Sequence, residues 1–548
     1  MRSISSPLDG FSSPFGARRL GGGVSPFALY AANGFTPPLV ADYKNEVYAV
    51  DGVASTFDDM HTYAGASLKT MVDSDGALKW PPHTLHGSEE NPTSTFNSAK
   101  TINAGVDPAG GGKAVSVTSI ADGVANFGFS SISFANRVKH VAWVKKSQES
   151  NFVYVFGSGS NTFSFNLDLR DGAVSNSIFG AGATGAVSAT DSGSGWYKVV
   201  ILRNEDGAAI GGSFIIRPAR SADDGSSALA GDGFLIWGMH SHRNDLGGMV
   251  NNPDTGDSYV PTTTASRYLP RRGNHVWDGA EWVNEGVLIE SAAATNLLLN
   301  SGTLATQSVT VTAVPHTLHF TGTGTVTLTG ASTAGPLVGT GTGEENRTSL
   351  TFTPTAGSLT LTVSGTVTNA DLIVGSTLQS HIPTAGATAT RAAETRPTKA
   401  AVLPAITTAV SGSHKLLLTY ADTNTATQQT LFDWRADASN RITLTLDTAG
   451  ANTGKVTLTV VDGGTSSSVT STNQIAAGIN VAANVAWRVT DDFINIALNG
   501  TAATQAANTA TVPDLGSANA ATGITGNDGL GLIWAEEIGD TGTEEASA

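Results

Sequence analysis

Ile442-Thr443-Leu444-Thr445-Leu446 and Val456-Thr457-Leu458-Thr459-Val460 alternate an apolar residue with a threonine. Successive side chains of a strand point to opposite faces, so each run buries one face and leaves a hydroxyl face to solvent. β-Branched Thr and Val also pack well on a pleated surface. The same period of two runs through Val326–Thr329, Leu350–Thr353, Leu359–Val363 and Phe493-Ile494-Asn495-Ile496-Ala497-Leu498. Nearer the N-terminus, short apolar runs such as His140–Val144, Phe152–Phe156, Trp196–Leu202 and Phe234–Trp237 are separated by Gly, Ser, Asn and Asp. Many short strands with turn signals between them predict an all-β chain of sandwiches or barrels. No stretch carries a sustained helical period with caps at its ends.

The chain has 548 residues, room for roughly three to four domains. Charged residues make up only 14% and hydrophobic residues 40%, which excludes a long acidic disordered chain. Asp and Glu number 46 against 30 Lys and Arg, a net charge of −16. That speaks against a general nucleic-acid binder, which needs a cationic surface. There is no Cys, so disulfides, thiolate metal sites and a cysteine nucleophile are excluded. No apolar run approaches the ~20 residues that span a bilayer. Met1–Pro7 lacks the apolar core of a signal peptide; the expectation is a chain made in a cytoplasm and not inserted into a membrane.

Four segments follow. Ser6-Pro7, Ser13-Pro14, Gly21-Gly22-Gly23 and Ser25-Pro26 punctuate the first of them, with Phe11 and Phe15 beside Arg18 and Arg19. Such a stretch cannot close a core alone. It reads as an extended arm, within residues 1–90, whose aromatics dock into another protein. Sandwich modules are expected at 91–270, 271–397 and 398–548. A degenerate repeat links two of them. Leu235-Ile236-Trp237-Gly238 leads to Ser258-Tyr259-Val260-Pro261-Thr262 and then Arg267. Leu372-Ile373-Val374-Gly375 leads to Ser380-His381-Ile382-Pro383-Thr384 and then Arg391.

Catalytic signals are absent. Gly180–Gly185 fits G-x-G-x-x-G, but no helix follows to face a pyrophosphate. The adjacent carboxylates Asp223-Asp224, Asp491-Asp492 and Glu536-Glu537 would point to opposite faces of a strand and make poor hydrolytic pairs. Neither G-x-S-x-G nor H-E-x-x-H occurs. The expectation is therefore a protein that is not an enzyme. His240 and His242 would share one face of a strand and form the most metal-like pair; the alternative is two exposed loop histidines. Asn251-Asn252-Pro253-Asp254-Thr255-Gly256-Asp257 is rich in oxygen ligands. Calcium there is the one cofactor weighed, against an ordinary turn; otherwise no cofactor is expected. Trp277, Trp282 and Trp434 lie beside polar residues, Asp278 and Glu281 for the first two and Asp433 and Arg435 for the third. An aromatic face with polar neighbours suits sugar stacking, and core packing is the alternative. Trp143, Trp196, Trp237, Trp487 and Trp534 sit in apolar runs and read as core.

Three stretches resemble a pattern of phage virion proteins: Ser380–Glu394, with its S-H-I-P-T and T-R-A, residues 72–85, and Gly286–Ser301, which reads G-V-L-I-E-S-A-A-A-T-N-L-L-L-N-S. Gly193–Val199, with G-W-Y-K-V, is similar to a strand of the same modules. The matches cover residues 70–395 in patches. The resemblance implies concanavalin A-like or carbohydrate-binding-module-like jelly-roll sandwiches in a tail fibre or spike. It also implies a homotrimer and lectin-like binding of host-surface polysaccharide; the residue chemistry above puts forward Trp277, Trp282, Trp434 and Arg435 for the sugar, and Phe11, Phe15, Arg18 and Arg19, in an arm that matches no known docking sequence, for anchoring to other virion proteins. In a trimer, His240 and His242 would meet their copies around the threefold axis and hold a metal. The alternatives are a head fibre, decoration or connector protein with structural contacts only and, behind it, a polysaccharide depolymerase.

Overall fold

The computed structural model describes residues 38–134, 137–157, 163–180, 184–204, 210–251, 259–406, 408–422, 428–516 and 518–535. The arm residues Phe11, Phe15, Arg18 and Arg19 lie outside them, as does most of the oxygen-rich loop. Strands dominate the described residues; helix is confined to Phe57–Met60 and three short 3-10 turns. The chain folds as two units.

One unit is Leu78–Leu269 with Ala385–Ala387. Two six-stranded antiparallel sheets build it. The first runs Val174–Phe179, Phe163–Asp168, Phe152–Gly157, Ile210–Ala219, Asn126–Phe134, Ser94–Phe96. The second runs Thr184–Asp191, Trp196–Asn204, Val138–Ser147, Gly233–Arg243, Val115–Ser119, Ser98–Thr101. Phe127, Phe165 and Phe214 from the first sheet pack on Val144, Ile201 and Phe234 from the second, all buried.

The other unit gathers residues 38–77, 270–384 and 388–535. Its larger core lies between two sheets. One holds the two threonine-alternating runs as Arg441–Asp447 and Val456–Asp462, with Gln428–Arg435 beside them. The other centres on Ala409–Tyr420, flanked by Gly478–Thr490 and Thr525–Ala535. Leu444, Leu458 and Val460 meet Leu418, Val485 and Ile496 across the layer. The sequence stretch expected to be an arm reaches this sheet. Leu39–Asp42 pairs with residues 530–533, and Val287–Glu290 pairs with residues 525–528 of the same strand edge. Both add backbone hydrogen bonds to an edge that would otherwise be open. The pairing therefore runs across the expected limits at 90, 270 and 397. A smaller sandwich, with Gln307–Val311, Thr325–Gly330 and Gly357–Ser364 on one side and His316–Gly322, Thr348–Phe352 and Val367–Val374 on the other, closes on Leu318, Leu328 and Leu361.

The alternation holds in Val326–Thr329, where burial follows each apolar residue and exposure each threonine. It fails in Phe493–Leu498, where Asn495 and Ala497 are buried as well. Arg488 stands opposite Asn495 and stacks on Phe493, so a long side chain lies along the face that the pattern assigned to solvent. The core reading gives a direct contrast. Leu458→Ala removes a fully buried side chain and is expected to cost about 2–5 kcal/mol. Thr327→Ala, on the exposed face, is expected to cost under about 1 kcal/mol. Urea unfolding of each variant checks both.

Candidate functional site

The two copies of the sequence repeat do the same structural job. In one unit, Arg267 and Tyr268 pair with Thr84 and His83, just ahead of the sandwich. In the other, Ala389–Arg391 pairs with Ala294–Asn296, just ahead of the smaller sandwich. Each copy thus brings a module's exit back onto its entry.

At the second clasp, Asn296 spends all its hydrogen-bonding capacity. Its Nδ2, with two hydrogens, lies 2.9–3.0 Å from three acceptors, Ala370 O, Asp371 Oδ1 and Ile382 O, so one hydrogen is shared. Its Oδ1 accepts from the amides of Leu298 and Leu372 at 3.1 Å. Asp371 Oδ2 lies 2.6 Å from His381 Nδ1, and Asp371 Oδ1 accepts from the Ile382 amide at 2.8 Å. Burial alone would raise the Asp371 carboxyl, but His381 and His319 outweigh it and hold it below its usual range.

Beside the clasp lies a sealed charge cluster. The Arg271 guanidinium bonds both Glu290 and Glu394 through Nη2, the Glu290 contact being 2.7 Å. Arg391 Nη1 sits 3.2 Å from Glu290 Oε2. Ser380 donates its amide and its hydroxyl to the two oxygens of Glu290, at 2.9 and 2.5 Å. The Tyr63 hydroxyl donates to Glu394 Oε1 at 2.7 Å. Burial raises Glu290, yet Arg271, Arg391 and Ser380 bring it down to about 2. All four charged side chains are at most 3% exposed. Two carboxylates sharing one arginine resemble a catalytic pair in composition, but solvent does not reach these.

The metal pair sits in a different setting from the one expected. Gly238 takes φ +65° at a register shift in Gly233–Arg243, and such a bulge re-aims the residues after it. His240 and His242 do share a face, their rings stacked 5.6 Å apart at 16°. That face is buried, at 1% and 2% exposure, so they are not loop histidines. Among the described residues no three His, Asp or Glu side chains converge on a metal-sized point. On the opposite face, Ser241 Oγ lies 2.9 Å from His86 Nε2 and 2.7 Å from His140 Nδ1. His83 Nε2 accepts from the Arg243 amide at 3.0 Å. Burial pushes His83 and His86 down to about 4 and His240 to about 3, with His140 and His242 also far below the ordinary value.

The three candidate sugar-stacking tryptophans part company. Trp434 is 2% exposed and packs in the larger core, with Nε1 donating to Ala518 O at 3.2 Å. It shares that face with Phe432, which is also buried; its polar neighbour Arg435 points outward and pairs with Asp433 at 2.7 Å. Trp434 and Arg435 therefore do not form one site. Trp277 and Trp282 do come together. They face each other across the hairpin His275–Trp277 and Trp282–Asn284, ring centroids 5.5 Å apart and tilted by 55°. Trp277 is 38% exposed. Trp282 lies on the backbone of Gly76, where a Cβ would fall 2.3 Å from the indole Nε1. Asp278 Oδ1 accepts the amides of Ala280 and Glu281, both at 2.8 Å. Those bonds fix the turn and hold the Asp278 carboxyl below its usual range. The result is a rigid surface ledge of two indoles with Asp278 and Glu281 exposed at its tip.

No protein-family model matches the chain, and no curated protein matches its sequence. Among solved structures, it is similar to the botulinum neurotoxin serotype D binding domain at 13% identity and a TM-score of 0.21. That match spans 26% of this chain and 37% of the neurotoxin chain, well under two thirds of it. The NanB sialidase from Streptococcus pneumoniae matches at 13% identity and a TM-score of 0.21, over 26% of this chain and 24% of that one. Domains LG4-5 of the mouse laminin alpha1 chain match at 10% identity and a TM-score of 0.18, over 81% and 90%. At these scores the likeness is too loose to assign a ligand, and the chain's own geometry carries the reading.

Two outcomes follow. Glu290→Gln leaves Arg271 and Arg391 short of a counter-charge in a sealed site and is expected to cost about 3–5 kcal/mol, read by denaturant unfolding. The five depressed histidines of Leu78–Leu269 bind protons more readily when unfolded. Their contribution is fully present above pH 6.5 and is lost as pH falls from 6.5 toward 4. Amide exchange in Val138–Ser147 and Gly233–Arg243 is expected to lose protection over that window, beyond the intrinsic pH dependence of exchange; a flat corrected profile contradicts it.

Proposed function

We propose that this chain is a phage virion structural protein of the tail-fibre or spike kind that binds host-surface glycan. The observation that carries the glycan part is the exposed Trp277–Trp282 ledge with its carboxylate tip. An indole face offers CH–π contact to a sugar ring, and neighbouring carboxylates accept sugar hydroxyls. The fixed turn and the Gly76 support mean that little side-chain entropy is lost on binding. The virion part is supported by the resemblance in residues 72–85, 286–301 and 380–394. Those residues supply much of the clasp and charge cluster, as expected of a recurring module joint. In this reading the chain assembles in the host cytoplasm as a homotrimer and docks other virion proteins through its N-terminal arm. Three copies, repeated over several fibres, raise the effective affinity of a weak site.

The sealed carboxylates favour binding over cleavage. The test is binding of the full chain to an array of bacterial lipopolysaccharides and capsular polysaccharides, with reducing ends assayed alongside. Wild type is expected to bind without releasing reducing sugar. Trp277→Ala is expected to weaken binding tenfold or more, about 1.4 kcal/mol, with an unchanged melting temperature. Absence of binding to every polysaccharide turns the reading to a purely structural virion protein, and sugar release turns it to a depolymerase.

A further inference from the structure

A cleft of about 480 Å³ opens in the larger unit, away from the tryptophan ledge in sequence and lined by different elements. Ser376 and Thr377, from the segment after Val367–Val374, form one part of its wall. Thr419 and Tyr420, at the end of Ala409–Tyr420, and Gln429 and Thr430, in Gln428–Arg435, form another. None of its described lining residues carries a charge, and most carry a hydroxyl.

The walls differ in how committed their polar groups are. Tyr420 donates its hydroxyl to Ile475 O at 2.5 Å, and Thr419 Oγ1 accepts the Asn480 amide at 3.2 Å, so both are held in place. Ser376, Thr377 and Gln429 are half-buried, and their side chains make no hydrogen bond among the described residues. They are oriented by the strands around them and open toward the cleft. The volume falls in the range of small-molecule sites and far exceeds what a single ion needs. An anion would require a positive partner and a cation a carboxylate; the described lining has neither. An apolar ligand would leave the hydroxyls without partners, at a cost. Hydroxyls both donate and accept, and so does an amide through its two ends. The complement is a small molecule that does the same around its whole perimeter.

We propose that this cleft is a second glycan subsite, selective for neutral saccharide units over acidic ones. It deepens the glycan reading given above and rests on it, but it uses none of the same residues. Binding here is expected to be independent of divalent cations and nearly flat in salt, because no charged pair is formed.

Saturation-transfer NMR on the full chain tests it, with maltotriose and N-acetylchitotriose as neutral probes and sialyllactose and trigalacturonate as acidic ones. Wild type is expected to saturate at least one neutral probe and neither acidic probe. Thr377→Trp fills the cleft from a half-buried position and is expected to reduce that signal at least fivefold; Gln429→Ala, which removes an amide without adding bulk, is expected to reduce it about threefold. Trp277→Ala is expected to leave it intact. No transfer to either neutral probe, a stronger signal for an acidic one, or a Thr377→Trp variant that binds like wild type overturns the subsite. Loss of array binding in Trp277→Ala alongside unchanged saturation transfer in Thr377→Trp would remove the subsite and keep the ledge. The reverse pattern would keep the subsite and remove the ledge.

Discussion

Arg271 is held without solvent between Glu290 and Glu394, and the larger unit is organised around that arrangement. The cluster draws on stretches far apart in sequence: Arg271 also donates to Thr70 O and Ser380 Oγ, Tyr63 donates to Glu394, and Arg391 pairs with Glu290. A buried charge is expensive to leave alone, so each of these segments is tied to the position of the others. The cluster balances two arginines against two glutamates, yet Nε of Arg271 and of Arg391 finds no acceptor among the described residues. Such a cluster is weak as a source of net stability. Its effect is to define one arrangement, because every alternative strands a charge in a dry interior.

The clasp beside it extends the same logic to the backbone. Asn296 Nδ2 faces three carbonyl or carboxylate acceptors 74 to 86 residues away, and its Oδ1 accepts the Leu372 amide, 76 residues away, beside the local Leu298 amide. A return pairing of exit on entry recurs in the other unit through Thr84 and Arg267. There five buried histidines stand beside the buried Glu89, which accepts the amides of Gly238 and Met239, and the Arg243–Asp245 pair. Neutral imidazoles can serve as donor and acceptor at once, as His83 does between Pro81 O and the Arg243 amide. The two units therefore use one topological device with different polar fillings, and both hold buried histidines whose protonation burial suppresses.

Strand alternation made the fold class readable, since a period of two needs no knowledge of partners. It also held the answer for Trp434. Phe432 and Trp434 are two apart and share a face, whereas Asp433 and Arg435 point the other way, so the polar neighbours were no guide to exposure. For His240 and His242 the shared face was readable and its burial was not. Both faces of residues 239–243 are buried, the Ser241 face as well as the His240 face, because other segments cover the strand on either side, and a period of two does not report that. Glu290 and Asn296 stood out in the sequence only by resemblance, and Ser380 and Arg391 by resemblance and by the internal repeat. Their roles depend on contacts 75 to 110 residues apart, which local reading does not reach. Trp277 and Trp282 were readable as a pair flanked by carboxylates; the support from Gly76, some 200 residues earlier, was not.

In this account the residues that recur between modules are joints, and the surfaces that meet a ligand lie elsewhere. Hydrogen-exchange mass spectrometry of the full chain, with and without a polysaccharide that it binds, tests that division directly. The account predicts added protection in the hairpin His275–Asn284 and around the cleft strands, with the joint residues 294–296 and 381–394 unchanged. Ligand-dependent protection confined to the joints would contradict it.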